Sequence, residues 1–270
     1  ENTEGCTDEY ACIYDGEAIF DDGSCDYACH DNGDNGLIFD GQDDYIKVEK
    51  SLDINNYYTI NAWVKRESND YNAIFWYGDE QGSWIEIYTQ GQGISGIDDG
   101  SLTIAHNRGL DNSSDTVFNY FTPFPVGEWV FLSVVYGGSV QTENVNVYYN
   151  GVHQGGATIP LNNLPETESF LIGKMSPVWG DTYLEGNIDY FDIWNISLNP
   201  DEIISVMNDN DLDNYLTDIG LIARYKINQG NEGLFPNMLI DDSGNRNHGT
   251  INGATWFDNN TILGCMDPLA

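Results

Sequence analysis

Three aspartates crowd one short turn of this chain: Asp40, Asp43 and Asp44, arranged around Gly41 in the run Phe-Asp-Gly-Gln-Asp-Asp-Tyr-Ile. A hard divalent cation such as Ca²⁺ takes six to eight oxygens from carboxylates, carbonyls and water. A tight glycine turn can add a backbone carbonyl to its carboxylates, so Asp40, Gly41, Asp43 and Asp44 form a candidate calcium site. The competing reading needs no metal, because Asp40 and Asp44 can accept from the N–H groups of their own turn. Asp209, Asp211 and Asp213 alternate like the first ligands of an EF-hand loop. There, however, Asn214 replaces the required glycine and Gly220 stands where the bidentate Glu belongs, so a frayed helix end is expected. Asp241 and Asp242, before Ser243-Gly244-Asn245, read as a turn.

Cysteine is the second chemistry. Cys6, Cys12, Cys25 and Cys29 fall within the first 29 residues, and Cys265 stands near the end. The spacing C-x5-C-x12-C-x3-C has no C-x2-C knuckle, so two disulfides in an oxidising compartment are favoured over zinc. His30 is the residue that could join a zinc site. Sequence alone leaves three pairings open. Residues 5–11 (GCTDEYA) resemble residues 264–270 (GCMDPLA), as if one motif restarts at the end of the chain. This suggests an excerpt of a repetitive parent, with the partner of Cys265 lying beyond it.

Catalytic patterns are sparse. Retaining glycoside hydrolysis needs two facing carboxylates about 5–5.5 Å apart. No expected strand carries alternating acids, and Glu166 and Glu168 sit in a turn. No G-x-S-x-G or H-E-x-x-H is present, and His30, His106, His153 and His248 are scattered. The chain therefore reads as a non-enzyme. Sugars are held by aromatic rings against C–H faces, with amides and acids for the hydroxyls. Trp76, Tyr77 and Asp79, then Trp84, then His106, Asn107 and Arg108, and finally Trp179, Asp181 and Tyr183 offer such groups. Trp179, after Pro177 and beside Gly180, is expected to be exposed. Trp63 and Trp129 are expected in the core.

The elements that must position these groups are strands. Tyr58, Ile60, Ala62 and Val64 alternate with Thr59, Asn61, Trp63 and Lys65. Val130–Tyr136 and Val145–Tyr149 do the same, and Asn150-Gly151 marks a type I′ hairpin. Further strands are expected near 72–78, 83–90, 102–107, 117–122, 170–175, 183–194, 220–227 and 249–257, with turn clusters between them. One helix is expected, capped by Asn199, with Pro200 in its first position and Glu202 completing a capping box. Ile203, Ile204 and Met207 give it an apolar face.

Composition bounds the function. The 270 residues carry 44 acidic and 9 basic side chains, a formal net charge of −35. A phosphate backbone or an anionic membrane surface would be repelled. No apolar run approaches the roughly 20 residues of a membrane-spanning helix. Aromatic content of 13% and hydrophobic content of 40% argue against disorder. A charge this large must be screened by salt or by bound divalent cations.

Two resemblances sharpen these expectations. Gly5-Cys6-Thr7-Asp8, Ala11-Cys12-Ile13-Tyr14 and Asp21-Asp22-Gly23-Ser24-Cys25 resemble a short cysteine repeat of very large secreted and surface proteins of marine and gliding bacteria. Ile13 stands where that pattern usually has Asn. The resemblance implies Cys6–Cys25 as the constant bridge and Cys12–Cys29 as the optional one.

Phe39–Ile46, Thr59–Val64, Gly127-Glu128-Trp129, Tyr148–Val152, Ile172-Gly173, Gly186–Asp189, Leu198–Ile203, Gly220–Ala223 and Asp242–Gly249 follow in the order of a LamG-like, concanavalin A-type jelly roll. That implies an all-β, two-sheet antiparallel sandwich with one short helix over residues 36–263. A cysteine-rich unit and linker would precede it at 1–35, and 264–270 would begin another. The resemblance also implies a calcium between the first turn and the strand after Gly-Asn-Ile-Asp, with Asp189 as its distal ligand. The function so implied is an extracellular, calcium-stabilised module. It would bind glycan or a neighbouring surface protein, with self-association through the flanking repeats possible. A structural spacer and a glycoside hydrolase are the alternatives.

Overall fold

The structure is a computed structural model. It describes residues 3–258 except 53, 55–56, 79–83, 94–97, 107–116, 138–143, 159–168, 176–180, 209–219 and 232–234. In chain order the first strands are β1 (Glu4–Gly5), β2 (Phe20–Asp21), β3 (Asn35–Asp40), β4 (Tyr45–Val48), β5 (Tyr58–Arg66) and β6 (Asn72–Gly78). Next come β7 (Trp84–Thr89), β8 (Ser101–His106), β9 (Val117–Pro123), β10 (Val130–Tyr136), β11 (Val145–Tyr149) and β12 (Val152–Ala157). The last are β13 (Phe170–Ile172), β14 (Glu185–Trp194), β15 (Leu221–Tyr225), β16 (Met238–Leu239), β17 (Gly249–Asn252) and β18 (Thr255–Asp258), with helix α1 (Pro200–Met207) between β14 and β15.

Two eight-stranded antiparallel sheets face each other. One runs β12-β11-β10-β5-β14-β3-β18, with β15 also on β14, and the other runs β16-β17-β4-β13-β6-β7-β8-β9. The alternation read from the sequence fills the space between them. Ile60, Ala62, Val64, Leu132, Val134, Val145 and Val147 point inward from the first sheet. Phe75, Tyr77, Ile85, Ile87, Leu102, Ile104, Phe170 and Ile172 point inward from the second. Asn150 and Gly151 both have positive φ, as a type I′ turn between β11 and β12 requires.

The outer faces of both sheets are covered as well. On the first sheet, α1 packs Ile203 and Val206 over Phe131, Trp194, Leu198 and Leu221. Its start carries the full capping box: Asn199 Oδ1 accepts from the Asp201 and Glu202 N–H groups, and Glu202 accepts from the Asn199 N–H at 2.7 Å. Trp63 joins this outer cluster half-buried, and Trp129 stacks on Phe257. Both tryptophans were expected in the core. Each instead sits outside it, because its position in the period-two pattern faces away from the sandwich.

Strand β14 organises the first sheet. Along one side it pairs with β5 over its whole length. Its other side is shared: β3 takes residues 185–188 and β15 takes 191–194. Between those stretches, at Asp189, the register against β5 also shifts, so Asp189 is the extra residue of a bulge.

Candidate functional site

The acidic turn is built as its spacing suggests. Carboxylate oxygens of Asp40, Asp43 and Asp44 all lie within 4.8 Å of one another. Asp44 is buried and accepts from the Asp40 N–H at 2.8 Å, while Asp40 accepts from the N–H and side-chain amide of Gln42. Burial, then the neighbouring charges of Asp40 and Asp43, push the Asp44 carboxyl above the usual aspartate range. Three acids so close repel one another, and a divalent cation would relieve that. The hydrogen bonds leave further lone pairs free, so the donor set fits calcium.

Asp189 is not part of this group. The residue opposite Asp40 on β14 is Glu185. Asp189 is four residues further along, about 13 Å at strand rise. The G-x-I-D spacing places Asp189 on the right strand but at the wrong end of it for that ligand role.

The sugar-type residues converge elsewhere, on the outer face of the second sheet. One row of the sheet runs Leu171, Trp76, Glu86 and Ala105 across β13, β6, β7 and β8. Trp84 joins Trp76 and Leu171, and Tyr45 packs against them. Beside Tyr45, the Lys174 ammonium lies 4.9 Å from the Tyr45 ring and 5.0 Å from the Tyr183 ring, a cation held between two aromatic faces. Asp181 pairs with Lys174 at 3.4 Å. Burial works against the Lys174 charge, but Tyr183 and Asp181 outweigh it and lift its pKa above the ordinary lysine value. Trp76 and Trp84 are only 5% and 4% exposed, yet neither indole N–H has a hydrogen-bond partner.

Of the predicted binding residues, Trp76, Asp181 and Tyr183 therefore share one surface. Trp179, Asp79 and Arg108 lie outside the described residues, as do Glu166, Glu168, Asp209, Asp211, Asp213 and Cys265. Tyr77 and His106 face the core instead. The Tyr77 hydroxyl reaches the Leu52 carbonyl, and His106 Nε2 meets the Tyr58 hydroxyl at 2.9 Å. Tyr45 and Lys174 were missed as binding residues, although Tyr45 lies within the quoted Phe39–Ile46 run and Lys174 directly follows Ile172-Gly173.

At the N-terminus Cys6 is bonded to Cys25 and Cys12 to Cys29. With both sulfurs committed, Cys12 and Cys29 offer no thiolate to a zinc ion beside His30. The cysteine-rich unit is docked on the sandwich. Cys6, Ala11 and Tyr27 bury against Ile240, and Tyr10 meets Phe235 edge-on. Asp8, nearly buried, accepts from the Tyr27 hydroxyl at 2.5 Å and meets His248 Nε2 at 2.8 Å. The Asp241 N–H donates to His248 Nδ1, so Nε2 carries the proton toward Asp8. Burial opposes the Asp8 charge, but the Tyr27 and His248 bonds outweigh it and lower its pKa. Arg246 pairs with Asp21 and donates to Thr7. Asp241 accepts from the N–H groups of Arg224, Ser243 and Asn247, which is the turn role read from the sequence.

The architecture is a two-sheet antiparallel jelly-roll sandwich with an aromatic outer face. The chain belongs to the concanavalin A-like lectin/glucanases superfamily, whose Laminin_G_3 model matches residues 40–204. It is similar in fold to a Bacteroides ovatus protein provisionally named as carbohydrate-binding, with 19% identity and a TM-score of 0.63. That match covers 84% of this chain and 60% of the Bacteroides chain, so this chain spans less than two thirds of it. A heptameric SAP-like pentraxin from Limulus polyphemus is also similar, with 15% identity, a TM-score of 0.54, and 86% and 99% of the two chains covered. No curated protein matches. Among the described residues no helix is long and apolar enough to cross a membrane.

Proposed function

We propose that this chain is an extracellular carbohydrate-binding or adhesion module, with the half-exposed Tyr45–Lys174–Tyr183 patch on its second sheet as the sugar-contact surface. The observation that carries the reading is the half-exposed Tyr45–Lys174–Tyr183 stack with Asp181 paired to its lysine. Aromatic faces suit the C–H side of a sugar, and the Lys174 ammonium and Asp181 carboxylate suit its hydroxyls. The Bacteroides ovatus neighbour, provisionally named as carbohydrate-binding, supports the same reading. So do two disulfides, which persist in oxidising surroundings.

The module binds rather than cleaves. Glu86, the acid in the central row of this face, is 1% exposed, whereas hydrolysis needs two carboxylates accessible across a cleft. The Asp40–Asp43–Asp44 turn takes Ca²⁺ as a structural ion that neutralises its repulsion. Binding of the intact chain to a glycan array, lost in Tyr183→Ala, Asp181→Ala and Trp179→Ala, is the expected result. Array binding unaffected by all three variants overturns the placement.

A protein-contact role has its own support, in Ile13, Tyr14, Ile19 and Phe20, which the cysteine-rich unit leaves about half exposed or more. Silence across the array, with self-association abolished by Phe20→Ser, favours that role instead.

A further inference from the structure

The bulge at Asp189 opens a second site, remote from the aromatic face. Strands β3 and β15 take successive stretches of one edge of β14, so Asp189 and Tyr190 lie between their two pairings. A crevice of about 220 Å³ lies over them, lined by Asp34, Trp63, Asp189, Tyr190, Lys226 and Asn228, with the C-terminal end of α1 closing one side. Lys226 and Asn228 also line a second cavity of about 300 Å³, whose other wall is Cys25–Ala28, His30 and Asp31 of the cysteine-rich unit. The two cavities share these two residues, and the crevice over Asp189 forms a trough beside the seam.

The seam is rigidly held. The Asn228 carbonyl accepts from the Asn32 N–H at 2.9 Å and from the Asn35 side chain at 3.1 Å, and the Gln229 carbonyl accepts from the Asn32 side chain. Between Lys226 and Asn228, Ile227 is held at φ 56°, a left-handed conformation that a β-branched residue adopts only when its surroundings impose it. Residues 30–36, a run of turn residues read from sequence as the linker, thus hold one edge of the trough through Asn32 and Asn35.

We propose that this trough is a binding site for a neutral saccharide. The half-buried face of Trp63 would cover the apolar C–H side of a sugar ring. Asp34, Asp189 and Asn228 surround it with acceptors and an amide for the hydroxyls. The acids Asp34 and Asp189 outnumber Lys226, which is itself paired with Asp242 at 3.4 Å. An anionic sugar is therefore disfavoured. Asp34, from the segment that joins the cysteine-rich unit to the sandwich, supplies one wall. It is independent of the sugar-contact surface on the second sheet.

The test is a titration of the isotope-labelled full chain with maltose, cellobiose, lactose and chitobiose, followed by NMR shifts. Perturbations at Asp34, Trp63, Asp189, Tyr190 and Asn228 are expected. Asp34→Asn and Asp189→Asn should each weaken binding roughly tenfold. Perturbations confined to Tyr45, Trp76, Asp181 and Tyr183 would overturn the trough and leave the second-sheet reading standing. No perturbation with any of the four disaccharides would overturn it too.

Discussion

Asp192 is the acid whose burial should be readable in a stability curve. It lies on β14 beneath α1, accepting from the Asn61 side chain and from the Tyr190 hydroxyl, each at 2.8 Å. Removal from water is the largest influence on it and raises its pKa to about 6, against the lowering effects of Trp194, Tyr190, Asn61 and Arg224. The Trp194 indole leans on the carboxylate without completing a hydrogen bond. An unfolded aspartate titrates near 3.9, and each unit of difference is about 1.4 kcal/mol. From about pH 4 to 6 the folded state holds a proton that the unfolded state has released, so stability falls as pH rises. The contribution is complete below about pH 4 and gone above about pH 6. The penalty at neutral pH is about 3 kcal/mol.

Asp192→Asn removes that penalty, because the amide stays neutral. Its single oxygen cannot serve both donors, so one hydrogen bond is lost, worth about 1 kcal/mol. The variant should therefore be about 2 kcal/mol more stable than the parent at pH 7.5 and about 0.5 kcal/mol less stable at pH 4, with a crossing between about pH 4 and 5. In a chain of this size that is a rise in Tm of about 4–8 °C at pH 7.5. Paired urea melts from pH 4 to 8 read the difference directly, and changes common to other carboxylates cancel in it. A variant less stable by the same amount at every pH would refute the reasoning, since the carboxyl would then titrate as an ordinary one.

Calcium should raise the Tm of the parent by several degrees, since a hundredfold excess over Kd contributes about 2.7 kcal/mol. Asp43→Asn, at an exposed position, should abolish that rise while leaving the chelated Tm unchanged, and a rise that persists would count against the turn as the site. Asn199→Ala should cost about 1 kcal/mol in urea melts by removing the α1 cap, and a loss below a few tenths would show that packing alone holds the helix. The lowered pKa of Asp8 favours the docked cysteine-rich unit above the unfolded aspartate range, and docking should weaken as pH falls below it. Faster proteolysis within residues 30–36 at low pH, and at neutral pH in His248→Ala, is the expected readout; equal rates would remove the Asp8–His248 contact from the account of docking.

The strands were legible because period-two alternation records which face is buried, and the Asn150-Gly151 turn and the Asn199 cap carry their own local chemistry. Strands β6 to β8 were located correctly, but alternation could not show that they are buried on both faces. Residues 73–77, Ala-Ile-Phe-Trp-Tyr, form an unbroken apolar run, and the side that belongs to the aromatic surface emerges only from the neighbouring strands. The acidic turn was legible because its three carboxylates are close in sequence. Asp189 misled for the opposite reason: a ligand supplied from a distant strand depends on register, and a four-residue offset changes which acid faces the turn. The docking role of Asp8 was hidden likewise, since its partner His248 is 240 positions away.

With 44 acids and 9 basic residues, the placement of each cation carries weight. Lys47 and Lys65 pair with neighbouring glutamates at the surface, at separations where salt screens them and the gain is small. Arg224, Lys226 and Arg246 converge instead where the cysteine-rich unit meets the sandwich. Arg224 and Lys226 share Asp242, while Arg246 reaches across to Asp21. Two acidic surfaces brought together without those cations would repel at the junction. The cysteine-rich unit has no large core of its own: its disulfides fix its shape, and the sandwich supplies Ile240, Phe235 and the positive charge that hold it in place. Docking is thus the step that joins a covalently stapled unit to a hydrophobically stabilised one. A change that frees the cysteine-rich unit would expose acids on both sides and strain the Asn32 and Asn35 bonds to the Asn228 carbonyl at the edge of the trough.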